Sequence, residues 1–305
     1  MSRSKREAQV QTDSAPRKGV RLWSTGHGSI RTGWLLAASL FSYALVALAT
    51  RYGLIRAFAA LFDVWRIDPS NVHRAPAWAR AVYVWHGSLA TLACAALTLL
   101  LAGRLRKLWG LEGALTGAPS AGLWRGSSTG VLAAIVVVVL CLLPDSLRPE
   151  WPLTAPRLGW TLPVMVVISL FSTLAEEAFT KRVLFDGLRR RWDRLWAAAL
   201  VSTVFWLTGG GPAAGVVGSV NALLLGWVVC ALYAGYGLWT AVGFRWGWSV
   251  ATVFLLGFGG GEASVYRFYG VSEALLTGGD AGIMHGLWTT LLLAGMIITV
   301  SLKHK

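Results

Sequence analysis

The sequence predicts an all-α fold, a polytopic transmembrane helix bundle of about eight spans. Three observations predict it. Of its 305 residues, 55% are hydrophobic and only 14% are charged, where a soluble domain carries about a quarter. The apolar residues fall into blocks of about 18 or more, the length that crosses about 30 Å of hydrocarbon. Seventeen tryptophans are present, and Trp34, Trp151, Trp160, Trp196 and Trp239 stand near block ends, as interfacial anchors do.

Residues 1–32 are polar and basic and read as a disordered cytoplasmic tail. No cleavable signal peptide is expected, because the first apolar block is long enough to stay in the membrane. Runs of low charge then place spans near 33–50, 77–102, 127–144, 160–181, 195–209, 215–234, 238–258 and 282–301. The fifth is short and reads as tilted or partly re-entrant. The domain reading is a tail (1–32), three N-terminal spans with amphipathic connections (33–157) and a membrane core (158–305).

Orientation follows from the positive-inside rule. Arg3, Lys5, Arg6, Arg17, Lys18, Arg21 and Arg31 put the N-terminus in the cytoplasm. Arg104, Arg106, Lys107 and Arg125 mark one inside loop, and Arg189, Arg190, Arg191 and Arg194 another. The 259–281 loop is acidic and reads as outside, and Lys303 and Lys305 end the chain inside. The segment 51–75 fits less well, since Arg51, Arg56, Arg66 and Arg74 fall on the outer side. It reads as an amphipathic surface helix. The net charge of +14 is read as attraction to anionic lipid, because the basic residues border apolar blocks. Nucleic acid is not expected as a partner.

Cys94, Cys141 and Cys230 all lie in apolar blocks without a CxxC pair and read as small buried hydrophobes. His86 and His285 are isolated within or beside spans, and His27, His73 and His304 lie in tails and a loop. No HExxH and no His pair at metal-ligand spacing occurs. Gly209-Gly210-Gly211 lacks the GK[ST] of a phosphate loop. Gly243 and Gly247, and Gly278, Gly282 and Gly286, are spaced for close helix approach in lipid.

An ionisable side chain inside a span costs about 2.5–3.5 kcal/mol on insertion scales. Glu176 and Glu177 are therefore the sharpest chemical feature. They are adjacent, so they repel each other and point about 100° apart around a helix. Lys181, four residues after Glu177, is placed to pair with it. Arg245 is the other intramembrane charge, always protonated and flanked by aromatic residues. Its expected partner is a glutamate, which predicts a bridge between the fourth and seventh spans. No cofactor is expected. A divalent metal at Glu176 and Glu177 is the less favoured alternative.

The order of these motifs resembles the CPBP family, the CAAX-protease and bacteriocin-processing (Abi) group of intramembrane proteases. Glu176-Glu177 and the following FTKRVLFDGLRRRW resemble the family's EExxxR segment, with Lys181 at the motif's Arg position. Ser202-Thr203-Val204-Phe205 resembles the start of its FxxxH motif, but Gly209 stands where the His belongs. LYAGYGLWTAVGFRWGWS resembles the approach to its HxxxN motif, with Arg245 for His and Ser249 for Asn. LLTGGDAGIMHGLWTTLLL resembles its closing span. The resemblance covers about residues 158–301.

It implies an intramembrane endopeptidase in a cytoplasmic (inner) membrane. A glutamate would activate water, and its substrate would be a membrane-embedded or lipidated peptide or protein. The candidate site is Glu176, Glu177, Lys181, Arg245 and Ser249. Three readings stay open. The first is a divergent member with impaired catalysis that keeps a substrate-like groove. The second is an active glutamate protease using Arg245, Ser249 or His285. The third is a scaffold or transporter with a buried Glu–Arg pair.

Overall fold

Long apolar runs, poor in proline, give long helices. The computed structural model describes residues 28–64, 77–111, 118–143, 147–150, 161–208, 211–258, 265, 267–270, 274–279 and 282–302. The order is α1 (Gly28–Val64), α2 (Ala77–Leu108), α3 (Pro119–Leu142), β1 (Leu147–Glu150) and α4 (Thr161–Phe179). A π-helical stretch, Thr180–Phe185, carries α4 into α5 (Asp186–Arg189). Then come α6 (Arg194–Thr208), α7 (Gly215–Tyr236) and α8 (Leu238–Ser249), which continues as a second π-helical stretch, Val250–Leu255. β2 (Arg267–Gly270), α9 (Ala274–Thr277) and α10 (Leu287–Leu302) complete it. By contacts the chain forms two units, 1–38 and 39–305. The described part of the first, 28–38, is helical, and the site described below lies in the second.

Five helices among the described residues are long and apolar enough to cross a membrane: Thr32–Asp63, Trp85–Leu108, Pro119–Leu142, Thr161–Arg189 and Gly215–Tyr236. The expected count of eight is not reached by this measure. The fifth expected span, α6, has 15 residues, about 22 Å of helix at 1.5 Å per residue. The eighth, α10, has 16, and the seventh, α8, has 12 before its π-helical continuation. The first was expected to end at 50, where the arginines begin. Instead α1 runs on to Val64, because a charged side chain does not interrupt backbone hydrogen bonding. The expected surface segment 51–75 is thus helical through 64, and its remainder lies outside the described residues, as does most of the basic tail.

The all-α expectation holds with one addition. β1 and β2 form an antiparallel two-stranded ribbon with Leu147 opposite Gly270 and Glu150 opposite Arg267. It joins two segments read from sequence as outer loops.

The tightest seam in the bundle is between α3 and α8, and glycine makes it. A Cβ on Gly126 would stand 2.2 Å from the Thr240 carbonyl oxygen, and one on Gly130 would stand 2.1 Å from that of Phe244. Reciprocally, a Cβ on Gly243 would reach within 2.3 Å of the Leu123 oxygen, and on Gly247 within 2.3 Å of the Ser127 oxygen. Small residues four apart on both helices let the backbones touch. The second glycine series behaves differently. Gly278 and Gly282 have φ of 86° and 88° and shape a turn before α10, so their spacing is not that of a helix face. Asn221 on α7 holds this turn. It is fully buried, donates to the Met284 and Gly286 carbonyls at 2.8 and 3.0 Å, and accepts from the Thr290 hydroxyl at 2.7 Å.

Candidate functional site

The glycine seam orients the site. Gly243 and Gly247 face α3, and Arg245, two residues from each, projects about 200° away. That side of α8 meets α4. Trp246 reinforces the contact by donating its indole N–H to the Val166 carbonyl at 3.0 Å and to Ser169 Oγ at 3.2 Å.

Arg245 bridges both glutamates. Its Nη1 donates to Glu177 Oε1 at 2.9 Å, and its Nη2 donates to Glu176 Oε2. The planar guanidinium fork suits this, because its donors diverge to two acceptors at once. Its other contact is a ring: Arg245 Cζ lies 4.6 Å from the Phe205 ring centroid on α6, a cation–π geometry. Lys181 Nζ stands 3.1 Å from Glu177 Oε2 along the same helix, and both side chains are wholly buried. The expected bridge and the expected local pair therefore coexist on Glu177. Two carboxylates and two cations sum to zero, which is how four ionisable groups share an apolar interior.

Exposure grades across the cluster. Glu177 and Lys181 are 0% exposed, Arg245 is 18% and Glu176 is 32%. Glu176 is thus the face of the cluster open to its surroundings. The π-helical turn begins here. The Thr180 hydroxyl donates to the Glu176 carbonyl at 2.8 Å, and Thr252 does the same to the Trp248 carbonyl at 2.9 Å in the second π-helical stretch. Interrupted helical hydrogen bonding of this kind is frequent at functional sites.

Residues 158–251 match the family model described as Rce1-like, type II CAAX prenyl endopeptidase Rce1-like. The match covers less than a third of the chain, and over that stretch the chain is similar to the CAAX-protease family. No curated protein and no solved structure matches the chain. The matched stretch holds the diglutamate, Lys181, Phe205, Arg245 and Ser249. It ends before the closing span, whose resemblance to CPBP proteins stays a resemblance of sequence.

Not every expected residue joins the site. Ser249 lies one turn beyond Arg245 on the same face of α8, and no hydrogen bond links its hydroxyl to either glutamate. His285 sits in the 3-10 turn before α10, packed so closely on α7 that a Cβ on Gly218 would be 2.3 Å from its ring. Gly226, two turns further along α7, is the residue that meets Ser202 and Phe205. His285 is therefore displaced along α7 from the Arg245–Phe205 contact. Gly209 lies outside the described residues. His86 packs edge-on against Phe58, with centroids 5.7 Å apart. Among the described residues no three His, Cys, Asp or Glu side chains converge. The paired carboxylates face cations, so a divalent ion at Glu176 and Glu177 would have to displace the guanidinium.

One contributor went unremarked in the sequence. Tyr43 on α1 stacks on Phe179 at 4.4 Å between centroids and 11° between planes. Phe179 is three residues past Glu176, on the same helix face. Tyr43 thus brings the first helix near Glu176 and Arg245. Its signal was weak, because one tyrosine in an apolar span is ordinary packing material.

Proposed function

We propose that this CAAX-protease-like membrane protein is a divergent member with impaired hydrolysis that retains a groove for a membrane-embedded or lipidated peptide. The observation that carries the reading is the pair of hydrogen bonds that Arg245 donates, one to Glu177 and one to Glu176. A glutamate that activates water must offer an oxygen lone pair to the water's proton. A guanidinium bonded to that oxygen occupies the lone pair instead. Arg245 stands where the family keeps a histidine, and it cannot itself accept a proton. Glu177 is held by a cation at each oxygen. Glu176, at 32% exposed, is the carboxylate with room to meet a substrate or water, and this favours the active-protease reading as the second choice.

The topology proposed with it has both termini cytoplasmic in a cytoplasmic membrane. Arg190 donates to the Gly110 carbonyl at 2.8 Å and Tyr233 donates to Asp186 at 2.6 Å. These bonds gather the basic ends of α2 and α5 with the end of α7, in line with a single cytoplasmic face.

Turnover separates the two readings. Full-length protein in vesicles, given a prenylated peptide ending in a CAAX-type tetrapeptide, is expected to bind it and to release no more tripeptide than Glu176→Gln does. Tripeptide release by the unaltered protein that Glu176→Gln abolishes, with folding intact, establishes the active reading instead.

A further inference from the structure

A cavity of about 690 Å³ lies at the basic end of the bundle, where the start of α3, the end of α7, the start of α8 and the end of α10 meet. That volume falls in the range of about 300–1,000 Å³ typical of small-molecule sites. The diglutamate cluster does not line it. Its lining is graded: Arg125, Thr129 and Tyr236 supply polar groups, and Leu232, Met296 and Val300 supply an apolar wall. Among the described residues no carboxylate lines it. Arg125 is in none of the ion pairs among the described residues. The helices around it present apolar side chains outward: Trp124 is 76% exposed, Leu132 61% and Ile298 60%. Fatty chains would meet these faces.

We propose that this cavity is a binding site for an anionic glycerophospholipid, with the phosphate held by Arg125 and the upper acyl chain against Leu232, Met296 and Val300. Charge complementarity selects an anion, since the described lining holds a permanent cation and no acid. The apolar wall selects an amphiphile over inorganic phosphate. The location selects a membrane lipid, because the basic ends of α2 and α5 and the start of α3 share this end of the bundle, where headgroups lie.

The test uses full-length protein in detergent, with phosphatidylglycerol or phosphatidylcholine added and retained lipid counted by native mass spectrometry. Unaltered protein is expected to retain phosphatidylglycerol preferentially. Arg125→Gln should lower that retention about fivefold, the worth of one basic residue at a headgroup. Ala121→Trp, filling the cavity from an exposed lining position, should abolish it. Arg104→Gln, an exposed arginine outside the cavity, should leave it unchanged, and circular dichroism should show all three folded. Equal retention of the two lipids, or a preference that survives both Arg125→Gln and Ala121→Trp, overturns the proposal. So does loss of the lipid to millimolar inorganic phosphate, which marks a free-anion site.

Discussion

Arg245→Met is expected to destabilise the folded protein by about 3–5 kcal/mol, the cost of breaking a buried ion pair from one side. The reason is arithmetic of charge. With Arg245 the cluster of Glu176, Glu177, Lys181 and Arg245 is neutral; without it, one negative charge is left in an apolar interior. Glu177 keeps Lys181 at 3.1 Å but loses the donor on Oε1. Glu176 loses its ion-pair partner, and water reaches it only in part. Phe205 also loses the cation over its ring, about 2 kcal/mol at a desolvated site. The lower end of the range is favoured because Arg245 itself is 18% exposed. Arg245→Lys should recover only part of the loss, since an ammonium lacks the fork that reaches two carboxylates. Urea unfolding in mild detergent, followed by near-ultraviolet circular dichroism, reads both variants.

Gly126→Leu is the second large effect, at about 3 kcal/mol or more. Overpacking usually costs less, because side chains can shift. Here the first added carbon would lie 2.2 Å from the Thr240 carbonyl oxygen and 2.7 Å from the Phe244 backbone nitrogen. Backbone cannot step aside without parting α3 from α8. The variant also tests the link between packing and site, because α8 carries Arg245. Separation of the helices should disturb the Trp246 bonds to α4, so loss of stability should come with a changed tryptophan spectrum. Gly103→Leu is the control, since nothing lies within 4 Å of a Cβ there.

The charged residues were the legible part of this molecule. Glu176, Glu177, Lys181 and Arg245 stand out in sequence because each carries an insertion cost that only a partner offsets. Cost implies pairing, and pairing predicts the bridge between Arg245 and a glutamate. Lys181 was legible for a second reason, its spacing of four from Glu177. Glycine spacing was a poorer guide. Gly243 and Gly247 do lie in a helix seam, yet the matching series Gly122, Gly126 and Gly130 on α3 passed unnoticed beside the polar run Ser127-Ser128-Thr129. Gly278, Gly282 and Gly286 share the spacing but serve a turn, because positive φ and helix packing both favour glycine. Long-range features left no local trace. The β1–β2 ribbon pairs residues more than a hundred positions apart. Asn221 reads as a lone polar residue in an apolar run until the turn it holds is seen. Helix ends were misjudged wherever charge served as the boundary signal, as at Arg51 in α1.

Whether Arg245 and the diglutamate form one lock is best measured as a coupling free energy. Glu176→Gln, Arg245→Met and the double variant complete a thermodynamic cycle in the full-length protein. A lock predicts coupling of about 2 kcal/mol, with the double variant more stable than Arg245→Met alone because it leaves Glu177 and Lys181 as a neutral pair. Coupling near zero, with the two losses simply adding, would contradict the bridge and with it the reading of this site as closed by arginine.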